Sequence, residues 1–503
     1  MVGYKLPFRG KSLVRALNYA NSFAFMLYGW DAGVISGVES NPYFLNTIGN
    51  PSDSRWLTFI ASGILLGDVL GLAIVTPLSW RLGRKNTVIM CCIIALVGVL
   101  LQTATFSTDD ECSPIEILVG RIVLGFANGP LAATTPVYIQ EASVIGSRRT
   151  VDTMVMVLWG IGGISVAAWF NYGMLKAPNH SAWRVSLAMQ AFFLIVALVL
   201  VLGCPDSPRW LLARGREAEC DDAIKRLLDC DETDERFVQV KQSIEETIRL
   251  EREQEKRLTL KVMFTGDGSP TKNVQRIWIG IFINLSNPFF GTQMITFYGQ
   301  SLLHSVGLQG DNVTLALAAI NTGITLGMGL SFFILPRVGR RPVLVWGAVL
   351  LTTLISIYTG LANIKNPSAG VQWASVVVLI CFNLVNGASW IWLAFLYAVE
   401  ILPLQYRSQV QSFSNMIFWL LGFIITYFGG QAAMNPRVGA LIYIMFCLGG
   451  AIVSILAYFF VVETKDLTLE EIDMLWAKKE FLSSHQEKQF EEASNDVEIA
   501  GSK

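Results

Sequence analysis

Apolar runs of about twenty residues recur along the chain, separated by shorter polar stretches. They fall at approximately 16–38, 56–80, 87–107, 115–138, 153–175, 184–204, 276–302, 313–335, 342–363, 373–398, 408–430 and 437–462. A helix of about 20 residues crosses the hydrocarbon core of a bilayer. In lipid, every backbone N–H and C=O must find its partner inside the segment, which a helix achieves. The pattern therefore predicts an all-α membrane protein with twelve transmembrane helices.

The runs divide into two sets of six. Between them, residues 205–275 are charged, with Phe237, Val240, Ile244 and Ile248 at the spacing of one helix face. This predicts a cytoplasmic N-terminal tail at 1–15, a six-helix bundle at 16–204, an intracellular helical domain at 205–275 and a second bundle at 276–462. A cytoplasmic C-terminal helix with a disordered tail is expected at 463–503. There Thr468-Leu469-Glu470-Glu471 has the form of a capping box, and the residues beyond about Lys478 are polar.

Composition narrows the class further. Of 503 residues, 52% are apolar and 15% charged, against about 25% charged in soluble domains. That excludes a soluble enzyme, a disordered protein and a nucleic-acid binder. The net charge of -1 gives no reason to expect an anionic partner. The eight cysteines form no CxxC or disulfide framework, and no His-rich cluster suggests a metal. No cofactor is expected.

Basic residues orient the spans. Alternate loops carry Arg81, Arg84 and Lys85; Arg148 and Arg149; Arg209, Arg214 and Arg216; Arg337, Arg340 and Arg341; and Arg407. These loops and both termini are expected in the cytoplasm. The sequons at Asn179 and Asn312 fall in loops assigned to the outside.

The two halves repeat one another. Arg81-Leu82-Gly83-Arg84-Lys85 returns 256 positions later as Arg337-Val338-Gly339-Arg340-Arg341. Tyr138, Glu141 and Arg148 return 259 later as Tyr397, Glu400 and Arg407. Pro205-Asp206-Ser207-Pro208-Arg209 is echoed by Val462-Glu463-Thr464-Lys465. Three motifs near one offset point to a duplicated six-helix unit, the organisation of transporters whose halves rock about a midplane site. Gly63, Gly67 and Gly71 in the second span, and Gly125 and Gly129 in the fourth, have the small-xxx-small spacing of close helix crossings.

In their order along the chain these motifs resemble the sugar porter family of the major facilitator superfamily. The resemblance runs over about residues 20–475. It is carried by Gly29-Trp30-Asp31, Ser36-Gly37, Gly83-Arg84-Lys85, Gly120-Arg121, Pro136-Val137-Tyr138 with Glu141, Pro205 to Trp210, and Glu463-Thr464-Lys465. It implies a fungal-type plasma-membrane transporter of a sugar-like solute, working by alternating access. An uncoupled facilitator of the same fold and a non-transporting nutrient sensor are the alternatives.

The resemblance assigns roles to residues. Asp31 and Arg121 lie inside the first and fourth spans, where an unpaired ion costs at least about 2.5–3.5 kcal/mol; they match the family's proton-coupling pair. Arg84, Glu141 and Arg148, with Arg340, Glu400 and Arg407, match a charge network at the inner mouth. An aspartate ordinarily precedes each Arg-x-Gly-Arg run, but Trp80 and Pro336 stand there. Positions matching the solute pocket are Tyr28, Met156, Asn287, Gln293, Phe297, Tyr298, Thr325, Trp392, Phe395 and Trp419. Several of these replace amides with apolar groups, which favours a polyol, a deoxy or aryl compound, or a cyclic acid over an ordinary hexose. Asn128, Asn284, Gln300, Asn321, Asn383 and Asn386 are further polar candidates, and Asp68 is a second acid within a span. Pro288 is expected to kink the seventh span. Expected partners are a small solute, protons and the lipid bilayer, with no nucleic acid.

Overall fold

The structure is a computed structural model. It describes residues 8–476 apart from breaks at 40, 49–53, 105–113, 144–148, 175–180, 255–258, 266–271, 404, 435–438 and several positions between 466 and 474. The described residues are helical, with no strand.

The first half comprises α1 (Gly10–Val38), a short α2 (Pro42–Thr47), α3 (Ser54–Leu82), α4 (Arg84–Thr103), α5 (Pro114–Ala142), α6 (Arg149–Met174) and α7 (Ser181–Gly203). Four shorter helices follow: α8 (Pro208–Ala213), α9 (Glu217–Leu228), α10 (Glu235–Gln254) and α11 (Leu260–Thr265). The second half holds α12 (Asn273–Ser286), the 3-10 turn η1 (Asn287–Phe290) and α13 (Thr292–Ser305), followed by α14 (Asp311–Val338), α15 (Arg340–Ala362), α16 (Ala369–Ala388), α17 (Trp390–Ile401), α18 (Arg407–Met434) and α19 (Gly439–Phe460).

Ten segments among the described residues are long and apolar enough to cross a membrane. Two further spans bring the number to the expected twelve. One is α1, made more polar by Asn18, Asn21, Ser22 and Asp31 along its length. The other is α12–η1–α13, whose two helices are each 14 residues long. Pro288 sits at the first break, and Gly291 closes it with a φ of 80°, which a side chain would strain. A second break, at Ser389 between α16 and α17, was not legible from apolar content, because the whole stretch is hydrophobic.

Packing repeats the duplication seen in sequence. In the first half α3 packs on α5, α1 on α6 and α4 on α7; in the second α14 packs on α16, α12 and α13 on α18, and α15 on α19. Gly67 and Gly125 meet where α3 crosses α5, so a Cβ on either would run into the other helix's backbone. The spaced glycines therefore serve close helix approach. The halves join through α3 with α18, α6 with α14, and α1 with α13.

Between the halves, Phe237, Val240 and Ile244 of α10 pack against Trp210, Leu211 and Ile224 of α8 and α9, and Ile248 is half-buried. The capping box at 468–471 lies outside the described residues. Ile472 and Trp476 beyond it are buried in the main core.

Candidate functional site

Asp31 lies on the face of α1 turned toward α5, and Arg121 reaches it from α5. Two parallel bonds join them: Nη1 donates to Oδ1 at 3.2 Å and Nη2 to Oδ2 at 3.1 Å. Both side chains are essentially inaccessible. Nη2 also donates to the Ala61 carbonyl on α3 at 3.3 Å. A buried pair is tolerated when further hydrogen bonds satisfy its remaining atoms. Here Gln190 of α7 donates to Asp31 Oδ1 at 3.0 Å, and Gln102 of α4 donates to Gln190 Oε1 at 2.8 Å. Sequence reading missed both glutamines. Their only signal was an amide in each of two otherwise apolar runs.

Asp68 of α3 lies deeper along the same bundle. Its Oδ1 accepts from Asn128 Nδ2 of α5 at 3.0 Å, and its Oδ2 has no partner.

The charged ends of the two halves repeat one arrangement residue for residue. Arg84 bonds Glu141 through Nε and Nη2, each at 3.0 Å, and Arg340 bonds Glu400 at 3.2 Å. Asp206 accepts the backbone N–H groups of Arg84 and Lys85; Glu463 accepts those of Arg340 and Arg341. Tyr138 donates to the Pro205 carbonyl and Tyr397 to that of Val462. Gly83 and Gly339, with φ of 91° and 96°, let the turns approach Asp206 and Glu463. Burial raises the Asp206 pKa, opposed by its backbone N–H donors and by Arg84. Trp80, in place of the expected aspartate, lies 4.8 Å under the Arg84 guanidinium and accepts bonds from Trp210 and Arg214 through its carbonyl. These ion pairs each stay within one half. Arg407 donates to the Leu402 carbonyl in its own half, and Arg148 lies outside the described residues.

Where the halves meet, Tyr28 stands edge-on to Trp419, with ring centroids 5.5 Å apart. Trp419 continues through Phe418 to Phe395 in a chain of T-shaped contacts. Phe59 near the start of α3 packs on Tyr427 near the end of α18. Ser165 of α6 donates to the Asn321 carbonyl and shares a bond with Thr325, each at 2.6 Å, while Trp169 donates to Thr322 at 2.9 Å. Thr325 thus joins the halves and lines a shallow groove between α6 and α14. Met156 and Phe297 are packed into the main core and offer a solute no polar atom. Asn287 accepts from Thr292 at 2.9 Å, tying the η1 break together.

Buried polar atoms without partners occur in both halves. Those of the second half include Gln293 Oε1, Tyr298 Oη, Trp392 Nε1, Asn386 Oδ1 and both amide atoms of Asn321. Buried polar groups are normally paired, so these atoms are open to an external partner. Four other amide candidates have protein partners: Asn128 bonds Asp68, Asn284 bonds Ser414 and Asn415, Gln300 bonds Thr314, and Asn383 bonds the Ile320 carbonyl.

Comparisons with known proteins agree with this architecture. The family described as "Sugar (and other) transporter" matches residues 17–476. The MFS-type transporter oryC of Aspergillus oryzae is 28% identical over 89% of this chain and 82% of its own. The high-affinity glucose transporter ght2 of Schizosaccharomyces pombe is 26% identical over 94% and 89%. The inward-open xylose transporter XylE from E. coli superimposes with a TM-score of 0.73 at 20% identity, over 92% of this chain and all of that one. XylE bound to 6-bromo-6-deoxy-D-glucose gives 0.73 at 18% identity, over 93% of this chain and 100% of that one. The chain therefore belongs to the sugar porter family of the major facilitator superfamily: it is a multi-pass membrane transporter of small sugar-like solutes, and not an enzyme.

Proposed function

We propose that this protein is a proton-coupled secondary transporter of the plasma membrane, with both termini and the Arg84 and Arg340 faces in the cytoplasm. Residues 16–204 and 276–462 form the rocking bundles, and residues 205–275 form the cytoplasmic linker domain. The observation that carries this reading is the buried Asp31–Arg121 pair. Protonating Asp31 would cancel its charge and release Arg121, so the pair links a proton to the arrangement of α1 and α5.

With that orientation, the contacts Phe59–Tyr427 and Trp169–Thr322 close the outer side. The state is inward-facing. The Arg84–Glu141 and Arg340–Glu400 networks are the inner-gate elements, each stiffening the cytoplasmic end of its own bundle.

The solute sits between Tyr28 and the unpartnered groups of the second half: Gln293, Tyr298, Trp392, Asn321 and Asn386. Their donors and acceptors suit hydroxyls, and Tyr28, Phe395 and Trp419 supply ring faces. With Met156 and Phe297 packed in the core, few further polar groups are left for a solute, which favours a polyol, a deoxy or aryl compound, or a cyclic acid. The test is uptake into proteoliposomes of labelled hexoses, pentoses, polyols and cyclic acids, with and without an imposed pH gradient. Gradient-driven accumulation of one class supports the reading; equal uptake without a gradient makes the protein a facilitator.

A further inference from the structure

We propose that Asp68 is a second proton-carrying carboxyl, receiving the proton from Asp31 and passing it toward the cytoplasmic face; this rests on the coupling reading above. The argument begins with charge. The middle of the first bundle holds two fully buried carboxyls, Asp31 and Asp68, and one fully buried guanidinium, Arg121. Both terminal nitrogens of that guanidinium are committed to Asp31. Asp68 has only neutral donors, the Asn128 amide on Oδ1 and the Gly129 backbone N–H within reach, and no cation bonded to it. An ionised carboxylate left without a cation at this depth is strongly disfavoured. Asp68 therefore holds a proton while Arg121 holds Asp31.

Its position gives that proton a use. Asn128 lies seven residues beyond Arg121 on α5, two turns and about 10 Å nearer the Glu141 end, on the same helix face. Asp31 and Asp68 are thus stacked along α5, with Asp68 on the cytoplasmic side. Tyr28, one turn before Asp31 on α1, is only half-buried and within electrostatic reach of Asp68. Asp68 in turn lies within reach of Asp31 and Arg121. The other helices packed on α3 bring little charge here: α4 brings Cys91 and Cys92 at mid-span. Tyr427 of α18 packs against Phe59, and Arg407 stands at that helix's far end.

The transfer is one proton with no net bond change. Asp31 binds a proton from outside and releases Arg121. The proton then leaves the Asp31 carboxyl through water for Asp68 Oδ2, as the proton already on Asp68 departs to cavity water, and Arg121 re-engages the ionised Asp31.

Asp68→Asn keeps the shape and removes the titration. In proteoliposomes with the solute the panel identifies, wild-type protein must first accumulate it on a pH gradient; failure there overturns coupling itself. Given coupled wild type, Asp68→Asn is expected to lose at least tenfold in gradient-driven accumulation while solute counterflow at equal pH persists, and Asp68→Glu to recover accumulation. Wild-type accumulation by Asp68→Asn, or counterflow lost in proportion, overturns the relay. Should Asp68→Asn not fold, Asn128→Ala keeps the acid and removes its donor. A shifted pH at half-maximal coupled uptake then supports the relay, and an unmoved profile overturns it.

Discussion

Arg121 and Asp31 are joined by two parallel hydrogen bonds, at 3.2 and 3.1 Å, in a part of the bundle that water does not reach. Arg121 makes its salt bridge with Asp31, while Asp68 and Glu39 lie within electrostatic reach of it, so the pair sets the main charge balance of this site. Asp31→Asn is expected to abolish gradient-driven accumulation while leaving solute counterflow. Arg121→Ala leaves Asp31 with Gln190 alone and is expected to cost about 3–5 kcal/mol of stability. Counterflow assays and thermal melts in detergent check the two outcomes, and a melt unchanged in Arg121→Ala would contradict the pairing.

Gln190 bonds the ionised form of Asp31, and Gln102 holds the Gln190 amide in the donating orientation. Removing that donor withdraws support from the charged form. Gln190→Leu is therefore expected to lower gradient-driven accumulation, with a smaller loss for Gln102→Leu. Accumulation in proteoliposomes on an imposed pH gradient measures both.

Gln293 carries a buried Oε1 with no protein partner, next to Gly422 of α18. If that atom meets a solute hydroxyl, Gln293→Leu forfeits about 1–3 kcal/mol, a rise of roughly 5- to 150-fold in KM. Met156→Leu, buried in the core, is expected to leave KM within about twofold, since volume-conserving swaps are tolerated.

Gly67 and Gly125 fill the α3–α5 crossing, whereas a Cβ at Gly173 would meet nothing within 4 Å. Gly125→Val is expected to lose monodisperse, folded protein in size-exclusion chromatography. Gly173→Ala, the control, is expected to behave as wild type.

Trp80 lies beneath Arg84, at the position where the family resemblance implies an aspartate. Trp80→Asp supplies a carboxylate to Arg84 at the cytoplasmic mouth and is expected to favour closure of that mouth. Labelling of single cysteines introduced there should fall; unchanged labelling would refute a gating role for this position.

Much of this arrangement was legible beforehand because lipid imposes a simple rule. Twenty apolar residues in a row must become a helix, so span number and the two-bundle fold followed from the pattern. Duplicated motifs announced a repeated six-helix unit, and the structure adds that Asp206 and Glu463 cap its matching glycine turns. The Asp31–Arg121 pair was foreseeable from the cost of burying either ion alone. Pro288 signalled one helix break because proline lacks the N–H an α-helix requires.

What only the tertiary structure decided is which polar atoms find one another. Gln102, Gln190 and Asn128 lie in different helices from the acids they serve, and no spacing along the chain connects them. The break at Ser389 is set by packing within a uniformly apolar stretch. Thr325, which the resemblance places in the solute pocket, bonds Ser165 across the bundle interface, a contact that no spacing along the chain connects. Hydropathy reports how each residue meets lipid or water; partnership depends on helix rotation and crossing, which the side chains of both bundles set together.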